Sequence, residues 1–272
     1  MTEFLEMFSF HFMIRAFIVG GLVALCASLL GVTLVLKHYS MIGDGLSHVG
    51  FGALSVAMVM NAAPLAVAVP AVILAAFCLL RISENGKLKG DAAIGMVSGS
   101  AIAIGVTVTS LSGGMNADVY SYMFGSVLSM NRGDVVLSVI LSAAVLFAFI
   151  LCYHTIFAVT FDESFAKANG AKVGLYNMML AVLTAVTIVV GMRIMGTMLI
   201  SGLIIFPALS SMRVFRSFKS VMISSAVVSL LCFFLGMTLS YFFAVPTGAS
   251  IVLTNLAAYL LFVCAGRIIG TE

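Results

Sequence analysis

The feature that most constrains this chain is a series of apolar runs without Asp, Glu, Lys or Arg. Residues 16–36 form the first run, and a helix of that length crosses a hydrocarbon core of about 30 Å. Only 8% of the 272 residues are charged, against about 25% in soluble domains, which excludes a soluble enzyme. Lipid requires every backbone polar group to be satisfied internally, and strand-like alternation is absent. We therefore expect an all-α, polytopic helical membrane protein.

Nine segments are candidate transmembrane helices. The uncharged run 45–80 divides into two spans at Asn61–Pro64, because proline disfavours helix in the residue before it. The nine segments are 16–36, the two halves of 45–80, 92–112, 134–153, 173–192, 194–212, 220–243 and 249–266. Phe206–Pro207 interrupts 194–212, so the prediction is eight to nine transmembrane helices. The apolar segment 119–131 is too short to span and is expected to be re-entrant or interfacial.

The distribution of Lys and Arg predicts the orientation, since acidic residues contribute little to topology. With the N-terminus outside, ten basic residues lie on the cytoplasmic side and three outside. The cytoplasmic ones are Lys37, Arg81, Lys87, Lys89, Lys167, Lys172, Arg213, Arg216, Lys219 and Arg267, and the outer ones are Arg15, Arg132 and Arg193. No hydrophilic stretch is long enough for a second domain, so residues 1–272 are expected to form a single transmembrane domain.

The most informative polar residues are Asp44 and His48, which stand four residues apart. That spacing places a carboxylate and an imidazole on one face of a helix, with Cβ atoms about 5–6 Å apart. An ionised Asp inside a membrane costs about 3 kcal/mol on insertion scales, so it requires a compensating partner. Two interpretations remain open: a hydrogen-bonded pair that locks two helices, or a pair that shares a divalent cation such as Zn²⁺, Mn²⁺ or Fe²⁺.

Asp118 is the best candidate for a third metal ligand. It precedes the short apolar segment 119–131, which can fold back toward the helix that carries Asp44. An ordinary helix N-cap at a membrane surface is the alternative interpretation of this aspartate.

The polar loop around residues 160–170 predicts a short helix. Thr160 and Glu163 have the spacing of a capping box, and Asn169–Gly170 supplies a left-handed stop. Such a helix of about two turns is not stable alone. It is expected either to dock on a soluble cytoplasmic partner or to rest on lipid headgroups.

Several classes of function are excluded or left open by the remaining sequence. There is no GxxxxGKT-type phosphate loop, so any ATP drive must come from a partner chain, and no basic cluster suited to nucleic acid. A secondary, ion-coupled cation transporter would also need an intramembrane Asp and His but no ATPase. A plain membrane scaffold would use packing motifs such as Gly95–Gly99.

Four segments resemble, in order, the permease subunits of bacterial ABC importers for zinc, manganese and iron, the ABC-3 type. Met41–His48 is similar to the family's Asp-x-x-x-His signature, and Ala117–Gly125 resembles its "AD…YLFG" element. Phe161–Ala166 resembles the stretch before its coupling helix, and Gly196–Ala208 is similar to its "G…LL…IIPA" helix.

The resemblance implies an ABC importer permease fold in the bacterial cytoplasmic membrane and transport by alternating access. The expected partners are a second copy of the chain, cytoplasmic ATP-binding subunits, an extracytoplasmic metal-binding protein and the lipid bilayer, so the chain itself is not expected to be an enzyme. Asp44 and His48 would line the metal path. The residues expected to couple to the ATPase are Phe161, Asp162, Glu163, Phe165, Ala166 and Gly170.

The cargo is expected to be a divalent metal ion, with no cofactor bound permanently. Members that carry manganese often have Leu-Pro-Gly soon after the histidine, whereas this chain reads Val49-Gly50-Phe51-Gly52. That departure favours Zn²⁺ and leaves Mn²⁺ and Fe²⁺ open.

Overall fold

The computed structural model describes residues 7, 9–84, 90–112, 123–125, 132–197 and 199–269, and no strand occurs among them. The helices are α1 (His11–Leu36), α2 (Ile42–Val59), α3 (Pro64–Glu84), α4 (Gly90–Leu111), α5 (Arg132–Leu151), α6 (Tyr153–Phe161), α7 (Glu163–Ala168), α8 (Val173–Met195), α9 (Ile200–Val214), α10 (Phe218–Phe243) and α11 (Thr247–Ile269). The predicted all-α, polytopic fold is confirmed.

Eight of the helices in the described ranges are long and apolar enough to cross a membrane, and α9 is not one of them. Its 15 residues reach only about 22 Å. The segment 194–212, which the sequence presents as one span, is divided in the structure: α8 continues through Met195, and the chain turns at Gly196, whose φ of 84° favours glycine. The eight-helix version of the prediction is therefore correct, with α9 as an additional shorter apolar helix.

The core of the protein lies around α1 and α8. In their most apolar stretches 72% and 83% of the residues are buried, against 22% in α4, α5 and α11. The outer helices keep large apolar side chains exposed, among them Phe147, Ile150 and Leu261. Such a surface is suited to lipid, where exposed apolar side chains carry no penalty.

Helix α2, which carries Asp44 and His48, packs very closely on its neighbour α4. A Cβ atom on Gly52 would lie only 2.8 Å from the carbonyl oxygen of Ala101. Small residues at such crossings allow two backbones to approach, which is how membrane helices gain packing energy without a hydrophobic drive. The position of α2 is therefore fixed by backbone contact.

A buried ion pair joins α5 to α8. Arg193 Nη2 lies 2.8 Å from Asp134 Oδ2, and the arginine side chain is almost fully buried. The charge count places Arg193 on the outer side, and in the structure the residue lies in the last turn of α8. The carboxylate compensates its charge inside the protein.

Candidate functional site

Asp44 and His48 lie in the first two turns of α2, on one face, as their spacing predicts. His48 Nε2 is 3.5 Å from Asp44 Oδ2, and the two side chains are 14% and 33% exposed. The distance exceeds the range of about 2.7–3.2 Å for a good N–H···O hydrogen bond. The two groups are therefore neighbours that do not satisfy each other fully.

A third polar group, which the sequence analysis missed, reaches this pair from α9. The hydroxyl of Ser201 lies 3.5 Å from Asp44 Oδ1. Next to it, a Cβ atom on Gly43 would lie 3.3 Å from Ile204 Cδ1, so α2 and α9 are in close contact here. Ser201 is 157 residues from Asp44 along the chain, and no local pattern singles out one serine in an apolar helix.

The separation of His48 Nε2 and Asp44 Oδ2 would allow both atoms to bind one metal ion. Zinc binds oxygen and nitrogen ligands at about 2.1 Å, and two neighbouring corners of a tetrahedron of that size are about 3.4 Å apart. The part of the chain that the structure describes contains no group of three or more His, Cys, Asp and Glu side chains that could hold a metal. Asp118, the predicted third ligand, lies outside the described residues, so its role stays a prediction.

The 161–170 segment forms the short helix α7, but it begins differently from the prediction. Asp162 is the N-cap, and its Oδ1 accepts a 2.9 Å hydrogen bond from the backbone N–H of Phe165. Thr160 lies inside α6 and donates its hydroxyl to the carbonyl oxygen of Ile156. The predicted capping box between Thr160 and Glu163 is therefore wrong, because the aspartate nearer the helix takes the capping position.

The predicted left-handed stop of α7 is confirmed. Gly170 has a φ of 83°. The backbone N–H of Ala171 donates to Ala166 at 3.0 Å, and that of Gly170 donates to Lys167 at 3.1 Å. These two bonds form a Schellman motif, which satisfies the last carbonyls of the helix.

The six residues predicted to couple to the ATPase lie in α7 or beside it, and one of them is buried while five are exposed. Ala166 is buried and anchors the helix against the protein. Phe161 and Phe165 are exposed apolar side chains, and Asp162, Glu163 and Gly170 are also exposed. The segment therefore presents both apolar and polar groups outward.

Glu163 makes interactions that the sequence does not indicate. Its Oε1 accepts hydrogen bonds from Lys37 Nζ at 2.6 Å and from Asn177 Nδ2 at 3.2 Å, and the lysine also donates to Asn177 Oδ1 at 2.6 Å. Partial burial raises the pKa of Glu163, but the hydrogen bonds from Lys37 and Asn177 and the lysine charge outweigh it, so the pKa lies below its ordinary value of 4.5. We call these three residues the Lys37 cluster.

Eight apolar helices that can span a membrane, with an acid and an imidazole side by side in one of them, define a polytopic membrane transporter. The family model described as "ABC 3 transport family" matches residues 9–266. The chain belongs to this family.

Curated relatives are named for three metals. The chain is 27% identical to the manganese import system permease protein ScaB of Streptococcus gordonii, over 95% of this chain and 93% of the relative. It is 25% identical to the high-affinity zinc uptake system membrane protein ZnuB of Haemophilus influenzae, over 93% and 97%. It is 28% identical to a probable iron transport system membrane protein of the same organism, over 97% of each chain.

The solved structure of PsaBC from Streptococcus pneumoniae in complex with Fab matches with a TM-score of 0.86 and 29% identity, covering 96% of this chain and 94% of that one. Together these findings identify a metal ABC transporter permease, a multi-pass protein of the bacterial plasma membrane. The chain is a transport subunit and not an enzyme, since ATP is hydrolysed by a separate subunit in this class.

Proposed function

We propose that this chain is the permease subunit of an ATP-driven importer of divalent metal, with Zn²⁺ as the preferred cargo. Asp44 and His48 line the path of the ion, and residues 1–272 act as a single transmembrane permease domain. The observation that carries this proposal is the 3.5 Å approach of a carboxylate and an imidazole inside one apolar helix. Intramembrane ionisable residues are rare and mark ion pathways.

The preference for zinc is supported by the donor atoms and their spacing. Imidazole nitrogen suits Zn²⁺, whereas Mn²⁺ favours six oxygen ligands in octahedral geometry. Adjacent octahedral donors at about 2.1 Å from the ion are only about 3.0 Å apart, while tetrahedral ones are about 3.4 Å apart. The 3.5 Å separation of His48 Nε2 and Asp44 Oδ2 is compatible with a tetrahedral arrangement.

Two strong ligands from this chain also suit release of the ion. A site for transport must replace enough of the hydration shell for entry and still let the ion leave. Asp44, at 33% exposure, keeps one side open to water or to a further ligand. We propose Asp118 as that further ligand.

The partners follow from the same function. The ATP-hydrolysing subunit docks on α7 and its flanking residues, where Phe161 and Phe165 are exposed apolar side chains beside Asp162 and Glu163. An extracytoplasmic binding protein delivers the ion on the other side, and a second copy of this chain completes the pathway by alternating access.

Transport by the purified complex tests this function. The permease is co-expressed with its ATPase subunit and reconstituted into liposomes with its metal-binding protein, and ATP-dependent accumulation of Zn²⁺, Mn²⁺ and Fe²⁺ is measured separately. We expect Zn²⁺ to accumulate fastest and only with ATP. Accumulation without ATP would instead identify an ion-coupled transporter, and faster Mn²⁺ or Fe²⁺ transport would overturn the choice of metal.

A further inference from the structure

We propose that Lys37 is a positioning residue that couples movement of the ATPase-docking helix α7 to the transmembrane core. This inference rests on the proposed transport function and adds a mechanical link to it. The link is the Lys37 cluster, in which the lysine ammonium bridges Glu163 and Asn177.

A single buried amine ties α1 to three other helices. Lys37 is the C-cap of α1 and its side chain is only 6% exposed. An ammonium has three donors, and Lys37 Nζ has three acceptors: Val159 O of α6 at 3.3 Å, Glu163 Oε1 of α7 and Asn177 Oδ1 of α8, both at 2.6 Å. Each acceptor belongs to a different helix, so the ammonium is the point where four helices meet.

The position of α7 depends on this point. A helix of six residues is too short to be stable alone. Glu163, its first residue, is 50% exposed but is bonded to the buried lysine and to Asn177. Because a buried ammonium is costly without acceptors, a displacement of α7 is opposed unless α1 and α8 move with it.

Helix α1 in turn contacts α9, which carries Ser201 beside Asp44. A Cβ atom on Gly31 would clash with the carbonyl oxygen of Ile204, so α1 and α9 touch backbone to backbone. On α9, about one turn before Ile204, Ser201 approaches Asp44. Contiguous packing therefore joins the Lys37 cluster to Asp44, and a coupling measurement is required to establish that it transmits movement.

The test uses the intact complex of permease and ATPase in nanodiscs and liposomes, with Zn²⁺ and Mn²⁺ as probes. The variants are Lys37→Met, Glu163→Gln and their combination, and the matched control is Lys219→Met, an exposed lysine at the start of α10. Three quantities are measured: the amount of ATPase subunit that co-purifies, the rate of ATP hydrolysis, and the number of metal ions accumulated per ATP hydrolysed.

We expect Lys37→Met to reduce the ions moved per ATP by about fivefold or more, in the range typical of coupling between sites, while the ATPase subunit still co-purifies. Glu163→Gln should lower the ratio less, and the double variant should be no worse than Lys37→Met, because both remove the same link. The control should keep the wild-type ratio.

Unchanged ions per ATP in Lys37→Met and Glu163→Gln would overturn the link while leaving the transport function intact. If Lys37→Met does not fold, the half-exposed Glu163→Gln and an Asn177→Leu variant decide, and a normal ratio in both overturns the proposal. Absence of any ATP-dependent transport in the wild type overturns the transport function itself.

Discussion

The two polar clusters of this permease differ in how tightly their atoms are held. The Asp44–His48 pair sits on one helix with 3.5 Å between its nearest atoms. In the Lys37 cluster the lysine bonds are 2.6 Å long and join residues up to 140 positions apart. A site through which an ion passes needs side-chain atoms that are not already fully hydrogen-bonded. A link between moving helices instead needs all of its polar groups to be paired. This difference fits the proposed roles, in which the Asp44–His48 pair handles the cargo and the Lys37 cluster holds helices together.

The largest effect is expected when one member of the Asp44–His48 pair is replaced. Asp44→Asn or His48→Ala should abolish ATP-dependent metal uptake, because the ligands that remain cannot replace enough of the hydration shell of the ion. The complex should still assemble, since the pair contributes little to packing. Uptake is measured in liposomes, with Ser55→Ala as the control, because Ser55 lies on the same helix and donates only to its own backbone at Phe51. Normal uptake by both variants would remove the proposed site.

The next largest effect is expected in the Lys37 cluster. Asn177→Leu should destabilise the protein by about 1–3 kcal/mol, because it leaves buried Lys37 with one acceptor fewer. The midpoint of thermal unfolding in detergent, followed by circular dichroism, measures the loss. Thr187→Val is the control, since this buried threonine of α8 donates only to its own helix at Leu183. Equal midpoints for the two variants would mean that the cluster contributes nothing to stability.

Ser201→Ala should have a smaller effect on metal uptake, through the Asp44–His48 pair alone. The hydroxyl lies 3.5 Å from Asp44 Oδ1, which is too long for a strong hydrogen bond to a carboxylate, and a typical hydrogen bond contributes about 1 kcal/mol net. We expect the metal concentration at half-maximal uptake to rise by less than about tenfold, with the maximal rate retained. Ser210→Ala on the same helix, which bonds to Phe206 O, should leave both values unchanged. Complete loss of uptake would instead make Ser201 an essential ligand.

The smallest effect is expected in the pH dependence of stability. The pKa of Glu163 is lowered in the folded protein, so the unfolded chain takes up its proton first as the pH falls. The stabilisation is therefore fully present above the ordinary pKa of 4.5 and is lost as the pH falls through the lowered folded value. Because Glu163 is half exposed, solvent screens part of this effect.

The measurement compares the thermal midpoints of wild type and Glu163→Gln at successive pH values, so that the contributions of other titrating groups cancel in the difference. The wild type should be more stable near neutral pH, and the difference should vanish in acid. A constant difference at every pH would show that the charge of Glu163 does not contribute.

The predictions from sequence were correct where the conformation of a residue depends on its neighbours along the chain. The uncharged run 16–36 became α1, and the i, i+4 spacing placed Asp44 and His48 on one face. The left-handed stop at Gly170 was also readable, because φ preference is a property of a single residue. The family resemblance rested on motifs of the same local kind.

Prediction failed where two local signals competed. Thr160 and Asp162 both qualify as N-caps, and only the end of α6 shows that Asp162 takes the role. Likewise, 194–212 has the apolar character of a span, but Gly196 turns the chain within it. Arg193 stands between two candidate spans in the sequence, and only the structure shows that its charge is buried against Asp134.

By itself the sequence determined that this chain is a helical membrane protein, because hydropathy and charge act additively along each segment. It also indicated that Asp44 and His48 lie on the same face of α2. Only the tertiary structure decided that Ser201 approaches Asp44 and that Lys37, Glu163 and Asn177 meet. Those contacts join positions 14 to 157 residues apart. Their energies depend on distances that exist only after the helices have packed.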